Sequence, residues 1–191
     1  MSAHSPIVVE QFYVLCNRAY RDWRLHKILF DDNPRKKELE TSVPGLVYFS
    51  ELSQESILLQ IAKLHDPLIV QGHVTLGIEY MVRYGGWLKK TKTQLHELQA
   101  QLNELDKKIR PARNKVLSHN DLESILIGGI VGDFSAGMDD KYFKTLQEFV
   151  DVIHVSAIGR PMPFSEDAGR VATGLLWFFR KEACKDQPII I

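Results

Sequence analysis

Residues 95–119, LHELQAQLNELDKKIRPARNKVLSH, decide the fold. Leu95, Leu98, Leu102, Leu105, Ile109, Ala112, Val116 and His119 recur at alternating steps of three and four. That spacing is a heptad stripe, and it predicts a long helix packed along another helix at a shallow angle. Gln94, Glu97, Gln101, Glu104, Lys107 and Lys108 fill the other faces. Pro111 sits off the stripe, so the helix either kinks there or starts afresh with Pro in its first turn.

Helical periodicity continues on both sides. Upstream, one helix is predicted from Ile7 to Phe30, with Val8, Phe12, Leu15, Ala19, Trp23 and Ile28 inward. Asp31, Asp32, Asn33 and Pro34 end it, because Asn and Asp favour turns and Pro restricts the residue before it. A charged connection closed by Pro44 and Gly45 leads to a second helix from Val47 to Leu64, with Phe49, Leu52, Ile57, Ile61 and Leu64 inward. His65, Asp66 and Pro67 stop it, and a short helix from Thr75 to Tyr84 ends at Gly85 and Gly86. Downstream, 127–137 is a glycine-rich connection, a helix resumes near Asp139, and a last helix begins near Ser165. No alternation of period two stands out. The reading is an all-α helical bundle in one domain, residues 1–191.

Composition excludes several classes. The chain has 24 Lys and Arg against 24 Asp and Glu, so it is neither a polycationic coat nor an acidic disordered tail. Two cysteines exclude a cysteine-rich zinc module and a disulfide-dense scaffold. No apolar run is long enough to span a bilayer, and the first ten residues lack the pattern of a signal peptide. The expectation is a cytoplasmic protein without a membrane partner.

The charge is locally uneven. From Lys89 to Lys115 there are eight Lys or Arg against Glu97, Glu104 and Asp106. Such a run is either a solvated, salt-bridged helix face or a field that holds phosphate. His119 closes an otherwise apolar stripe, so its ring points toward a packing partner. It is either a hydrogen-bonded structural histidine or a chemical group. Arg113 flanks the stripe six residues earlier, about 120° away in projection on an ideal helix. The two converge only if the helix loosens near Ser118 or if a second copy supplies the complementary pair.

Arg113-Asn114-Lys115-Val116-Leu117-Ser118-His119 resembles the R-X4-6-H signature of HEPN domains. Leu64-His65-Asp66-Pro67, Thr75-Leu76 and Ser118-His119-Asn120-Asp121 narrow the resemblance to the AbiU-like branch, associated with abortive phage infection. It spans roughly Phe12 to Asp121. The resemblance implies a HEPN-like four-helix core with additional C-terminal helices, usually paired as a homodimer. It also implies RNA cleavage without a metal or other cofactor, in a toxin or phage-defence effector that an antidote protein could restrain. Arg113, Asn114 and His119 would be catalytic; Arg110 and Lys115 would bind substrate. The residue types suit that chemistry. His119 can exchange protons near neutral pH, and Arg113 offers a planar, permanent charge to phosphate oxygens. Lys115 could hold the RNA backbone. A ribose 2′-hydroxyl would attack the neighbouring phosphate, making RNA rather than DNA the substrate. The alternative is a non-catalytic HEPN-type module that binds nucleotide, RNA or a protein partner, and the neutral overall charge leans that way.

Other candidates are read as structural. The glycines around Gly128 lack a preceding strand, and His65 lacks a helical His partner for a metal. His65 favours a helix C-terminus, His154 a partly buried bundle position, and Cys16 the core. Trp23, Trp87 and Trp177 could stack bases, though packing is their commoner use.

Overall fold

The stripe that opens at Leu95 is the inner edge of the longest helix among the described residues. In a computed structural model, which describes residues 5–43, 45–112 and 137–183, Leu95, Leu98, Leu102 and Leu105 are all buried. Along the chain come α1 (Pro6–His26), a π-helical turn (Lys27–Asp31), α2 (Lys36–Ser42) and α3 (Gly45–Leu64). A two-stranded ribbon follows, β1 (Ile69–Val70) and β2 (His73–Val74). Then come α4 (Ile78–Tyr84), α5 (Lys89–Ala112), α6 (Met138–Ile158) and α7 (Asp167–Ala183). The fold is all-α. The chain divides into two compact units.

The first unit comprises residues 1–18 and 58–164. Its core is drawn from the first turns of α1, the last turns of α3, the short helix α4 and the facing sides of α5 and α6. Helices α5 and α6 make its most extensive helix pairing. On α6, Tyr142, Phe143, Leu146, Phe149, Val150 and Ile153 are buried at helical spacing. From α1, Phe12 meets Phe149 edge-on with ring centroids 5.9 Å apart. Cys16 is fully buried, and burial pushes its thiol well above the ordinary range. The buried apolar positions of α1 are Val9, Phe12, Tyr13, Cys16, Ala19 and Trp23. Leu15, expected inward, is exposed. After α6, Gly159 takes a left-handed conformation (φ +86°), and its N–H donates to the carbonyls of His154 and Val155. The chain then folds back: Phe164 N–H donates to Gln147 Oε1 at 2.7 Å, and Met162 N–H to Asp151 Oδ1 at 3.0 Å.

Helix α4 starts three residues later than the sequence suggests, because Thr75 N–H pairs back to the Leu68 carbonyl and Gly77 is extended; before them lie β1 and β2. They pair antiparallel across Gln71 (φ +51°) and Gly72 (φ +83°). Positive φ at both central residues is the hairpin turn whose twist matches its strands. At the far end of α4, Trp87 is buried and donates from Nε1 to the Met81 carbonyl at 2.7 Å. This closes the chain tightly over Gly85, where an added Cβ would lie 1.8 Å from Trp87 Nε1.

The second unit comprises residues 19–57 and 165–191. Its core is Leu29, Phe30, Leu39, Leu46 and Ala172, with Leu175, Leu176 and Phe179 of α7 packed against it. The expected charged connection before Pro44 contains α2 instead, which buries Leu39 in this core. Asn33 prepares α2: its Oδ1 accepts from Arg35 N–H at 3.1 Å, and its Nδ2 donates to the Leu29 carbonyl at 2.9 Å. Phe49 and Leu52, expected inward on α3, are 37% and 44% exposed, while Leu46, Ile57 and Leu58 are buried.

Gly85→Ala should lower stability by about 1–3 kcal/mol, because an indole fixed by its own hydrogen bond cannot yield to a methyl group. Urea unfolding followed by tryptophan fluorescence measures the loss.

Candidate functional site

The sequence places its chemistry at and after the end of α5. Arg110 occupies a position in the last turn of that helix. Arg113, Asn114, Lys115 and His119 lie outside the described residues. Of the basic run, Lys89, Lys90, Lys92, Lys107 and Lys108 are exposed. Lys107 pairs with Glu104 at 3.1 Å, and both side chains are solvent-exposed. An exposed pair of this kind contributes little to stability and is readily exchanged for another anion.

One helical step from the apolar stripe, α5 carries a polar row: Asn103, Asp106 and Arg110, spaced three and four apart. Asp106 is buried. Asn103 meets His65, the residue that follows α3. His65 Nδ1 lies 3.3 Å from Asn103 Oδ1, and its Nε2 lies 3.0 Å from the hydroxyl of Tyr142 on α6. Tyr142 is buried, and its phenol is held well above the usual range, first by burial and then by the nearby Cys16 and Asp106. The Asn103 amide oxygen can only accept, so Nδ1 donates to it. The tautomer with its proton on Nδ1 leaves Nε2 to accept from the Tyr142 hydroxyl, so one tautomer satisfies both contacts. Sequence reading gave His65 and Asp66 only a turn and helix-end role, because the partners come from helices far along the chain.

A second constellation sits in the second unit. His26 Nδ1 lies 2.6 Å from Ser53 Oγ, and its Nε2 lies 3.5 Å from Asp31 Oδ1. The π-helical turn brings Asp31 onto the His26 face, since such a turn juxtaposes residues five apart. An ideal α-helix would set those two about 140° apart. The hydrogen bond from His26, opposed by partial burial, holds the Asp31 carboxyl below its ordinary range. Serine, histidine and aspartate are thus in line, but the chemistry runs the wrong way. Ser53 donates its own proton to the Ser50 carbonyl at 2.8 Å, so that proton is not directed at the imidazole. Ser53 also lies inside α3, whose backbone N–H groups close the helix and leave no oxyanion site. The group ties α1, the π turn and α3 together within this unit.

His154 is more deeply buried than the sequence suggests, 2% exposed, and its Nε2 has no hydrogen-bond partner. Its ring meets Tyr13 edge-on at 5.6 Å. Trp23 and Trp87 are buried, while Trp177 is 64% exposed beneath the Lys181 ammonium, 5.2 Å from its ring centre. Among the described residues no group of three or more His, Cys, Asp and Glu is placed to hold a metal ion. No helix among them is long and apolar enough to cross a membrane.

Burial lowers the His154 pKa, a shift that Glu10 and Asp151 oppose and Arg160 reinforces. The unfolded chain therefore binds a proton at His154 that the folded chain refuses. Stability is full above the unfolded value of about 6.5 and falls as pH drops below it, until the folded group also titrates. His154→Leu should flatten the fall in melting temperature between neutral pH and pH 5, measured by calorimetry.

The family model HEPN_AbiU2, described as AbiU2, matches residues 6–171. The match covers the Arg110 to His119 segment and both ends of the His65 cluster. No curated protein and no solved structure matches the chain.

Proposed function

Because the chain belongs to the AbiU2 family of HEPN proteins, matched over residues 6–171, we propose that it is a metal-independent endoribonuclease serving phage defence, as a toxin or effector. The family match running through Arg113-Asn114-Lys115-Val116-Leu117-Ser118-His119 carries this reading. His119 withdraws the proton from a ribose 2′-hydroxyl, and the freed oxygen attacks the adjacent phosphorus. Arg113 stabilises the charge that builds on the phosphoryl oxygens, as a permanently protonated fork suits. Asn114 orients the phosphate or the imidazole, and Arg110 and Lys115 hold flanking phosphates. The P–O5′ bond breaks and the 5′-oxygen takes up the proton that His119 collected, giving a 2′,3′-cyclic phosphate and a 5′-hydroxyl. A homodimer would set two copies of the Arg and His around one cleft and relieve the divergence of the pair on a single helix. A toxin of this kind is consistent with a restraining antidote protein.

The zero formal charge favours a second reading, a helical module that binds RNA, nucleotide or a protein without cleaving. Turnover separates the two. With RNA in excess chelator, the wild-type protein should cleave and leave cyclic phosphate ends, while a DNA strand of the same sequence stays intact. His119→Ala should lower the rate at least about a hundredfold, the usual worth of a general base. Binding without cleavage, unchanged in His119→Ala, would establish the module instead.

A further inference from the structure

We propose that His65, Asn103 and Tyr142 form a polar clamp that fixes the rotation and depth of the C-terminal end of α5, making His65 a positioning residue for the chemistry carried beyond that end. The relevance to cleavage rests on the ribonuclease reading; the clamp itself does not.

The geometry argues for more than packing. His65 follows the last residue of α3, and its two ring nitrogens reach different helices: Asn103 of α5 at 3.3 Å and Tyr142 of α6 at 3.0 Å. An apolar side chain there would fill the same space but could slide and rotate. Two directional bonds through one rigid ring set where α5 sits relative to the ends of α3 and α6 within this unit. The ring centroid of His65 also lies 5.9 Å from that of Tyr142, so the contact is steric as well as polar.

Position along α5 gives the clamp its reach. Asn103 heads the polar row that continues through the buried Asp106 to Arg110. Arg110 lies seven residues on, about 10 Å along the axis and close to the same face. Rotating α5 about its axis swings every member of that row together. Active sites tolerate such errors poorly: a displacement of about 1 Å at the reacting groups can cost a hundredfold in rate. The groups facing the clamp are Tyr142 and Cys16, both carrying their protons, together with Asp106. Asn103 Oδ1 can only accept, so it selects the tautomer protonated on Nδ1, and the Tyr142 hydroxyl completes it by donating to Nε2.

The test uses His65→Phe, which keeps a ring of similar size without its nitrogens, and Tyr142→Phe, which removes the donor and leaves the ring. Three readouts are taken on each purified full-length variant: melting temperature, backbone hydrogen exchange along α5, and RNA cleavage kinetics. The clamp predicts exchange rising roughly tenfold in the last two turns of α5, with its first turns unchanged. It also predicts kcat falling about tenfold while KM stays within twofold. Ring nitrogen NMR of the wild type should show the proton on Nδ1 and a bare Nε2. Exchange and kcat unchanged in both variants would overturn the proposal. So would a uniform rise in exchange with a lowered melting temperature, since that describes a structural bond only. If the wild type does not cleave RNA but the local exchange still depends on His65, the clamp stands and the ribonuclease reading falls.

Discussion

The apolar seam between α5 and α6 is the constraint on which the first unit depends. Leu95, Leu98, Leu102 and Leu105 bury one edge of α5, and six of the α6 side chains named above face inward at matching spacing. Burying a side chain of this size contributes about 1.5–3 kcal/mol, so a handful of them outweighs anything the surface charges can add. Asn103 and Asp106, beside the leucines, are then held at a depth they would not choose alone. Asp106 is buried because its neighbours Leu102 and Leu105 are. Asn103 meets a histidine because the leucines have already brought α3, α5 and α6 together.

The structure thus has a division of labour between non-directional and directional contacts. Apolar burial brings the helices close but tolerates sliding. Hydrogen bonds through rigid groups remove that tolerance. His65 does so at the end of α3, and Gln147 and Asp151 do so where the chain leaves α6, by accepting from the backbone of Phe164 and Met162. Tyr13 adds a third case by donating to the Pro163 carbonyl at 3.0 Å. In the second unit His26, Ser53 and Asp31 play the same part around a π-helical turn. The resemblance of that trio to a hydrolytic site is compositional, because the direction of each proton decides its role.

Much of this was legible in the sequence, and the illegible parts have physical causes. The leucine stripe of α5 was plain because one regular period repeats without interruption. The limits of α6 and the start of α7 were plain because glycine, proline and caps mark them. Helix α2 was hidden: Leu39 is its one buried apolar side chain, so no period exists to find. The ribbon at 69–74 was hidden because each strand is two residues long and its turn uses Gln71 where asparagine would have signalled it. Phe49 and Leu52 misled because hydrophobic residues are common on surfaces as well as in cores. The Arg113 and His119 pair was legible as a motif, and it lies within the span that the family model matches. The partners of His65 were not, since nothing local to residue 65 announces residues 103 and 142.

Cys16 makes the molecule its own reporter. A thiol with no solvent exposure, whose thiolate is disfavoured by its surroundings, cannot be alkylated while α1 stays docked. With Cys184 exchanged for serine, the speed at which an alkylating reagent marks the chain becomes a clock for the opening of the first unit. It runs without any label that could disturb the packing it times.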